Sequence, residues 1–284
     1  MERYGRHLLL LGPKRHQVLE LWEVERYGAD SFGDPDHVAI FGMRPAEWHA
    51  RGVRLLGRTA VECTRDALAD AIGRDLATIA ATAPSGGRPL VVDPFAGSGN
   101  TLHWITHHLP GAQAMGFELD PTVFDVSKRN LERLALPLEF VHIDHLSGLS
   151  SLVTSADRLL VAFVAPPWGE ALSETNGLDL RRTEPPVAGI VDFMLDRFAA
   201  NQLLCAIQLF ENTDQASVEA LTARFEWSAV HMYDVNPPGQ NHGVLLGTSG
   251  WVPSTSARLG AIGLKEPDSS RMLLEGIRKG PDRG

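Results

Sequence analysis

From residue 89 onward the chain alternates short apolar runs with amphipathic stretches, and that rhythm restricts the fold more than any other feature. Residues 89–92, 112–118, 138–143, 159–164 and 203–210 read as strands. Residues 99–109, 121–134, 187–200 and 214–224 read as helices, the second with Pro121 at its start. Strands joined through helices run parallel, and the helices then cover both faces of the sheet. Residues 227–235 and 243–250 follow one another without a helix, which predicts an antiparallel closing pair at the sheet edge.

Upstream of this rhythm stands a Pro/Gly/Ser break, APSGGRP at 83–89. Before it, Leu68, Ile72, Leu76 and Ile79 recur at helical spacing, which predicts a helix over 64–81 with Thr64 as N-cap and Asp66 in its first turn. Residues 17–27 read as a further helix and 37–41 as a strand. The expected organisation is an N-terminal lobe with its lead-in helix over 1–83, a main domain over 84–251, and a tail over 252–284. That tail is polar and Gly/Pro-punctuated, with a short docking helix at 273–277.

Composition excludes several classes. With 284 residues and 44% apolar content the chain can bury a substantial core. Its apolar stretch at 159–168 is too short for a bilayer span of about 20 residues. The four leucines at 8–11 lack a cleavage pattern, so no signal peptide and no membrane partner is expected. Cys63 and Cys205 fit no metal or redox spacing and read as free thiols of a reducing cytoplasm. No metal site is expected, His142 and His145 included. A formal net charge of −9 argues against coating nucleic acid by charge alone. Arginines do gather at Arg44, Arg51, Arg54 and Arg58 and at Arg181–Arg182, as a local basic groove or as plain solvated faces.

The chemistry-bearing segment is LVVDPFAGSGNTL at 90–102: strand, glycine turn, helix start. Open parallel sheets bind ligands at the carboxyl ends of their strands. A triphosphate loop needs a Lys that is missing here. A dinucleotide loop needs a third glycine where Leu102 stands. S-adenosylmethionine needs no phosphate cradle, and Asp93 at the strand end suits its cationic amino-acid end.

DPFAGSGNT at 93–101 resembles the first motif of class I S-adenosylmethionine-dependent methyltransferases. GFELD at 116–120 and FVHID at 140–144 follow in the order of that family. VAPPWG at 164–169 is similar to the trimethylguanosine synthase family, the RNA cap guanine-N2 methyltransferases, which carry SPPWGG there. The resemblance spans about residues 58–250 and is strongest over 90–190.

It implies a Rossmann-like α/β fold: a seven-stranded, mostly parallel sheet with helices on both faces, an antiparallel last strand and a small N-terminal lobe. It implies S-adenosyl-L-methionine as cofactor, held by Asp93, Phe95, Ala96, Gly97, Gly99, Asn100 and Thr101. Glu118 would accept the ribose hydroxyls and Asp144 the adenine amino group. It implies catalysis at Ala165, Pro166, Pro167 and Trp168, with RNA or a small molecule as methyl acceptor.

Two consecutive prolines lock the backbone so that a carbonyl of residue 165 or 166 can face an exocyclic amine, and Trp168 offers a face for a planar base. The chain departs from the pattern at Ala165, where Asp, Asn or Ser would supply a side-chain acceptor, and at Glu170, where a second glycine would stand. Bland alternatives remain at this level. As the lesser readings, Glu118 is a solvated strand-end charge, Asp144 a turn residue and Trp168 a core aromatic. NPPGQNHG at 236–243 borders an acceptor pocket through Asn241 or His242, the latter as a general base, or is a plain Pro-Gly turn.

Overall fold

The computed structural model describes residues 4–173, 175–237 and 239–254. The N-terminal part opens with one turn of π-helix, His7–Leu11, followed by α1 Leu21–Phe32, α2 Pro45–Ala50, α3 Gly57–Glu62 and α4 Asp66–Ala80. α1 starts on a capping box in which Glu20 and Glu23 satisfy each other's backbone amides. α4 buries Leu68, Ile72, Leu76 and Ile79 along one face, as their spacing predicts.

The rest alternates as expected: β1 Leu90–Asp93, α5 Asn100–His108, β2 Gln113–Glu118, α6 Pro121–Arg133, β3 Glu139–His142, α7 His145–Ser151 and β4 Leu159–Val164. A 3-10 turn at Gly169–Ala171 and a two-stranded ribbon, β5 Leu172–Ser173 with β6 Gly177–Leu178, follow. α8 Val187–Arg197, β7 Gln202–Phe210, α9 Gln215–Thr222, β8 Trp227–Tyr233 and β9 His242–Ser249 complete the order. Asp120 and Asp144 cap α6 and α7, each accepting two backbone amides of the first turn.

Seven strands form one sheet in the order β3-β2-β1-β4-β7-β9-β8. All pairs from β3 to β7 are parallel, and β9 is antiparallel to both its neighbours. This is a doubly wound, Rossmann-like order, the seven-stranded sheet that the resemblance to class I methyltransferases implies. The closing hairpin is present, with one refinement: the last strand is inserted beside β7, and β8 takes the edge.

β4 is buried along its whole length. Val161 and Phe163 face a core shared with α4, α5 and the N-terminal lobe, whereas Leu160, Ala162 and Val164 face a second core closed by α8. A strand covered on both sides needs apolar residues at every position, which is why 159–164 reads as an unbroken apolar run. The lobe has no core of its own: Leu9, Val24, Ile40 and Trp48 belong to the same cluster as Val161 and Phe163. α4 packs on α5 and against β4 and β7, and so acts as one of the sheet's covering helices.

Three local expectations are corrected. The helix expected at 17–27 begins at Leu21, where the capping box starts it. The strand expected at 37–41 is a tight turn: Ile40 and Met43 exchange backbone hydrogen bonds and Phe41 sits at φ 57°. Val38 and Ile40 are buried because the lobe closes over them, and the Val38 carbonyl accepts from the Trp48 indole at 3.0 Å. The α4 N-cap is Arg65, without a side-chain cap, and not Thr64. The helix expected at 273–277 and most of the 252–284 tail lie outside the described residues. Among those residues, no helix is long and apolar enough to cross a membrane.

Candidate active site

β1 pairs with β2 on one side and β4 on the other. From there the chain builds outward to β3 in one direction and to β7 in the other. Connections that leave adjacent strands in opposite directions cannot cover the strand ends between them, so a crevice opens at their carboxyl termini. A cleft of about 1130 Å³ lies there. The strand ends form its floor, and Tyr27, Phe32, Arg58, Cys63 and Arg65 of the lobe form its roof.

On one side the cleft is a backbone bend held by carboxylates. Asp93, which ends β1, accepts from the Phe95 amide at 2.9 Å, and the Ala96 amide donates to the Phe117 carbonyl at 2.9 Å. The chain turns at Gly97, with φ 50°, a left-handed conformation that a side chain would strain. The Gly97 amide donates to Glu118 Oε2 at 3.1 Å, and the Asp120 amide donates to Oε1 at 2.8 Å. Each carboxylate oxygen has two lone pairs, so Glu118 keeps an acceptor on both oxygens for a ligand with two neighbouring hydroxyls. Gly116 lets this bend lie on β2: a Cβ there would come within 2.7 Å of Ala96 and 2.8 Å of Leu102.

Burial pushes both acids up. Asp93 reaches about 7, with Glu118 adding a like-charge contribution. Glu118 is raised by burial and partly relieved by Arg58. Arg58 Nη1 pairs with Asp120 at 2.9 Å and Nε with Glu62 at 2.8 Å. Phe95 and His145 close this end, their ring centroids 5.1 Å apart.

The other side is aromatic. β4 ends at Val164; Ala165 and Trp168 are half-buried, Pro166 is buried, and all three line the cleft with Pro167. Trp168 stacks on His242 at 5.3 Å and meets Phe210 edge-on at 6.0 Å. Gln208 Nε2 lies 3.2 Å from His242 Nδ1. Burial, together with Arg65, pushes His242 down to about 3. The imidazole is therefore neutral at ordinary pH and a poor proton acceptor, which corrects the expectation of a general base near neutrality.

Asp93, Phe95, Ala96, Gly97, Thr101, Glu118 and residues 165–168 thus line one cleft. Gly99, Asn100 and Asp144 do not. Asn100 is fully buried: its Oδ1 accepts from the Phe41 amide at 2.7 Å, and its Nδ2 donates to the Thr64 carbonyl and to Asp66. It fastens the lobe to α5. Gly99 caps α5, and the Asp144 carboxylate caps α7. Asn241 is also outside, its side chain accepting from the Asn236 amide at 3.0 Å. A second cavity of about 550 Å³, between Arg88, His107 and Glu139, lies near the opposite ends of β2 and β3 and holds none of the expected residues.

Sequence reading missed Arg65, Tyr27, Phe32, Gln208 and Phe210, which carry no motif and meet only through the fold. His145 carries a signal, its place after the third strand, but the sequence reading weighs it only as a metal ligand and rejects it.

No protein-family model and no curated protein matches the chain. Among solved structures, the methyltransferase domain of METTL16 aligns with a TM-score of 0.45 and 14% identity, covering 68% of this chain and 72% of that domain. An rRNA methylase from Streptococcus thermophilus aligns at 0.40 and 15% identity, covering 62% and 94%. The C-terminal domain of precorrin-6Y C5,15-methyltransferase from Rhodobacter capsulatus aligns at 0.40 and 17% identity, covering 61% and 86%. Likenesses this distant carry nothing about activity; the fold is identified by the chain's own strand order.

Proposed function

We propose that this chain is an S-adenosyl-L-methionine-dependent methyltransferase acting on the exocyclic amine of a planar ring, in the first instance a guanine-like base in RNA. The observation that carries this reading is the convergence of two unlike elements on one cleft: the Gly97–Glu118 clasp and the Pro166–Trp168 turn. The cofactor fits the first element. Glu118 has acceptors left for the ribose hydroxyls, Phe95 and His145 offer apolar faces to the adenine, and Asp93 lies where a cationic amino-acid end would meet a carboxylate.

When bound, the cofactor supplies an electrophilic methyl group on a sulfonium. The chain's part is alignment and exclusion of water, the main source of acceleration for an in-line displacement. None of the loop or side-chain hydrogen bonds among the described residues ends on the carbonyl of Ala165 or Pro166. Either is therefore available to an amine N–H, which favours a pyramidal, more nucleophilic nitrogen. This compensates for Ala165, which has no side-chain acceptor to offer. Trp168 carries the ring on the face turned away from His242.

A small-molecule acceptor is the second reading, favoured by the arginines. Arg44 pairs with Asp36, Arg58 with Glu62 and Asp120, and Arg181 with Asp179 and Asp214, so half of the six clustered arginines are already neutralised by the chain's own carboxylates. Transfer of a tritiated methyl group from the cofactor decides between them. Salt-sensitive label in total RNA supports the first reading, label only in small metabolites supports the second, and no transfer to either overturns both.

A further inference from the structure

Three guanidinium groups line the cleft: Arg6, Arg58 and Arg65. Arg58 is neutralised by its two carboxylates. Arg65 is different. It stands at the N-cap of α4, half-buried, with its guanidinium 4.7 Å from the centre of the Phe32 ring and its Nη2 3.5 Å from Asn236 Oδ1. Among the described residues, no carboxylate lies within ion-pair distance of it. The nearest carboxylates in the chain are engaged elsewhere: Asp66 accepts from Gly42, Asn100 and Trp104, and Glu62 pairs with Arg58. Tyr27 is pushed up to about 12 by burial, with Arg65 and Arg6 acting against that shift, and His37 and His242 are pushed down to about 3 by burial and by Arg65 itself. Taking a cation out of water without a counter-charge is costly. A planar guanidinium held over an aromatic ring is suited to bidentate capture of a carboxylate or phosphate.

His242 fixes where this cation acts. It stacks on Trp168, and Arg65 Nη2 meets Asn236 in the loop that leads into His242, so the guanidinium belongs to the acceptor end. Arg6, exposed at the rim, adds a second positive charge on that side.

We propose that Arg65, backed by Phe32 and joined by Arg6, is an anion-recognition subsite that takes a phosphate or carboxylate carried by the methyl acceptor. The assignment rests on the methyl-transfer reading for what the anion is attached to. The site selects an acceptor with a planar ring on Trp168 and a negative group beside it. A nucleotide, free or within RNA, meets that description, and so does a small aromatic acid.

The test is calorimetric titration of the full chain, with and without S-adenosylhomocysteine, using two pairs of probes: guanosine against guanosine 5′-monophosphate, and aniline against 2-aminobenzoate. The expected result is that one anionic member binds at least about tenfold tighter than its uncharged partner, as charge-assisted pairing implies. In Arg65→Gln that advantage falls to about twofold or less, Arg65→Lys keeps part of it, and S-adenosylhomocysteine affinity is unchanged in both. A gain confined to the monophosphate identifies a nucleotide phosphate, and one confined to 2-aminobenzoate identifies a carboxylate; either supports the subsite. No gain for either anion, or a gain that survives in Arg65→Gln, overturns it. If the wild-type chain binds no S-adenosylhomocysteine yet shows the Arg65-dependent gain, the methyl-transfer reading fails and the subsite stands.

Discussion

The two ends of the cleft are made of different materials. At the β1–β2 end the contacts are backbone amides and carboxylates: Asp93 and Glu118 hold the bend, and burial raises both. At the β4 end they are rings: Trp168, Phe210 and a neutral His242, with Arg65 as the free charge. The first end is built to place charge and hydroxyl acceptors, the second to hold a plane and leave carbonyls open. The proposed reaction, which joins a cationic donor to a weakly nucleophilic ring amine, needs that division. Acid at the donor end suits a cationic ligand, while neutral rings at the acceptor end suit an uncharged plane.

The comparison breaks most visibly at Trp168. If the two ends act separately, Trp168→Ala lowers methyl transfer by about a hundredfold or more and leaves S-adenosylhomocysteine affinity within about twofold, read by single-turnover rates and calorimetry. Loss of both together would mean that the ends are one unit. Gly97→Leu attacks the other end. A leucine at φ 50° distorts the bend that presents its amide to Glu118, and cofactor affinity falls about tenfold or more.

A smaller effect separates the ends by pH. The folded-state pKa of Asp93 is about 7 against an ordinary 3.8, so the folded chain binds the extra proton. Stability from this group is therefore greatest below about 4 and is lost as pH rises through 7. A cationic ligand reverses the preference, because it favours the ionised acid. S-adenosylmethionine affinity should rise several-fold between pH 6 and 8, beyond what the ligand's own titration gives, and Asp93→Asn should remove that extra rise. The smallest effect is at Asp144. Its carboxylate caps α7, so Asp144→Ala should cost about 1 kcal/mol in denaturant unfolding. It should change cofactor affinity less than any substitution at Glu118.

The same division explains what the sequence could reveal. The donor end is continuous: 93–101 form one turn and Glu118 ends the next strand, so chain order alone brings them together. The strand–helix rhythm fixes the sheet for the same reason, since local periodicity reports a two-sided burial such as that of β4. The acceptor end is assembled from Tyr27, Arg65, Trp168, Gln208 and His242, residues from five separate stretches that only the finished fold places around one cavity. Asn100 was misplaced because a polar residue after a glycine turn reads as a ligand group. Its partners, Phe41, Thr64 and Asp66, come from the lobe, which periodicity does not dock. The residues at 37–41 failed for a related reason. Alternating burial in a turn looks like a strand until the Ile40–Met43 hydrogen bonds are seen.

The most direct test is titration of S-adenosylhomocysteine into the wild-type chain and into Glu118→Ala, with circular dichroism to verify that both are folded. Saturable one-to-one binding that weakens about tenfold or more in the variant, as expected when two acceptors for hydroxyls are lost, would bear the account out. A folded wild-type chain that does not bind, or a variant that binds equally well, would contradict it.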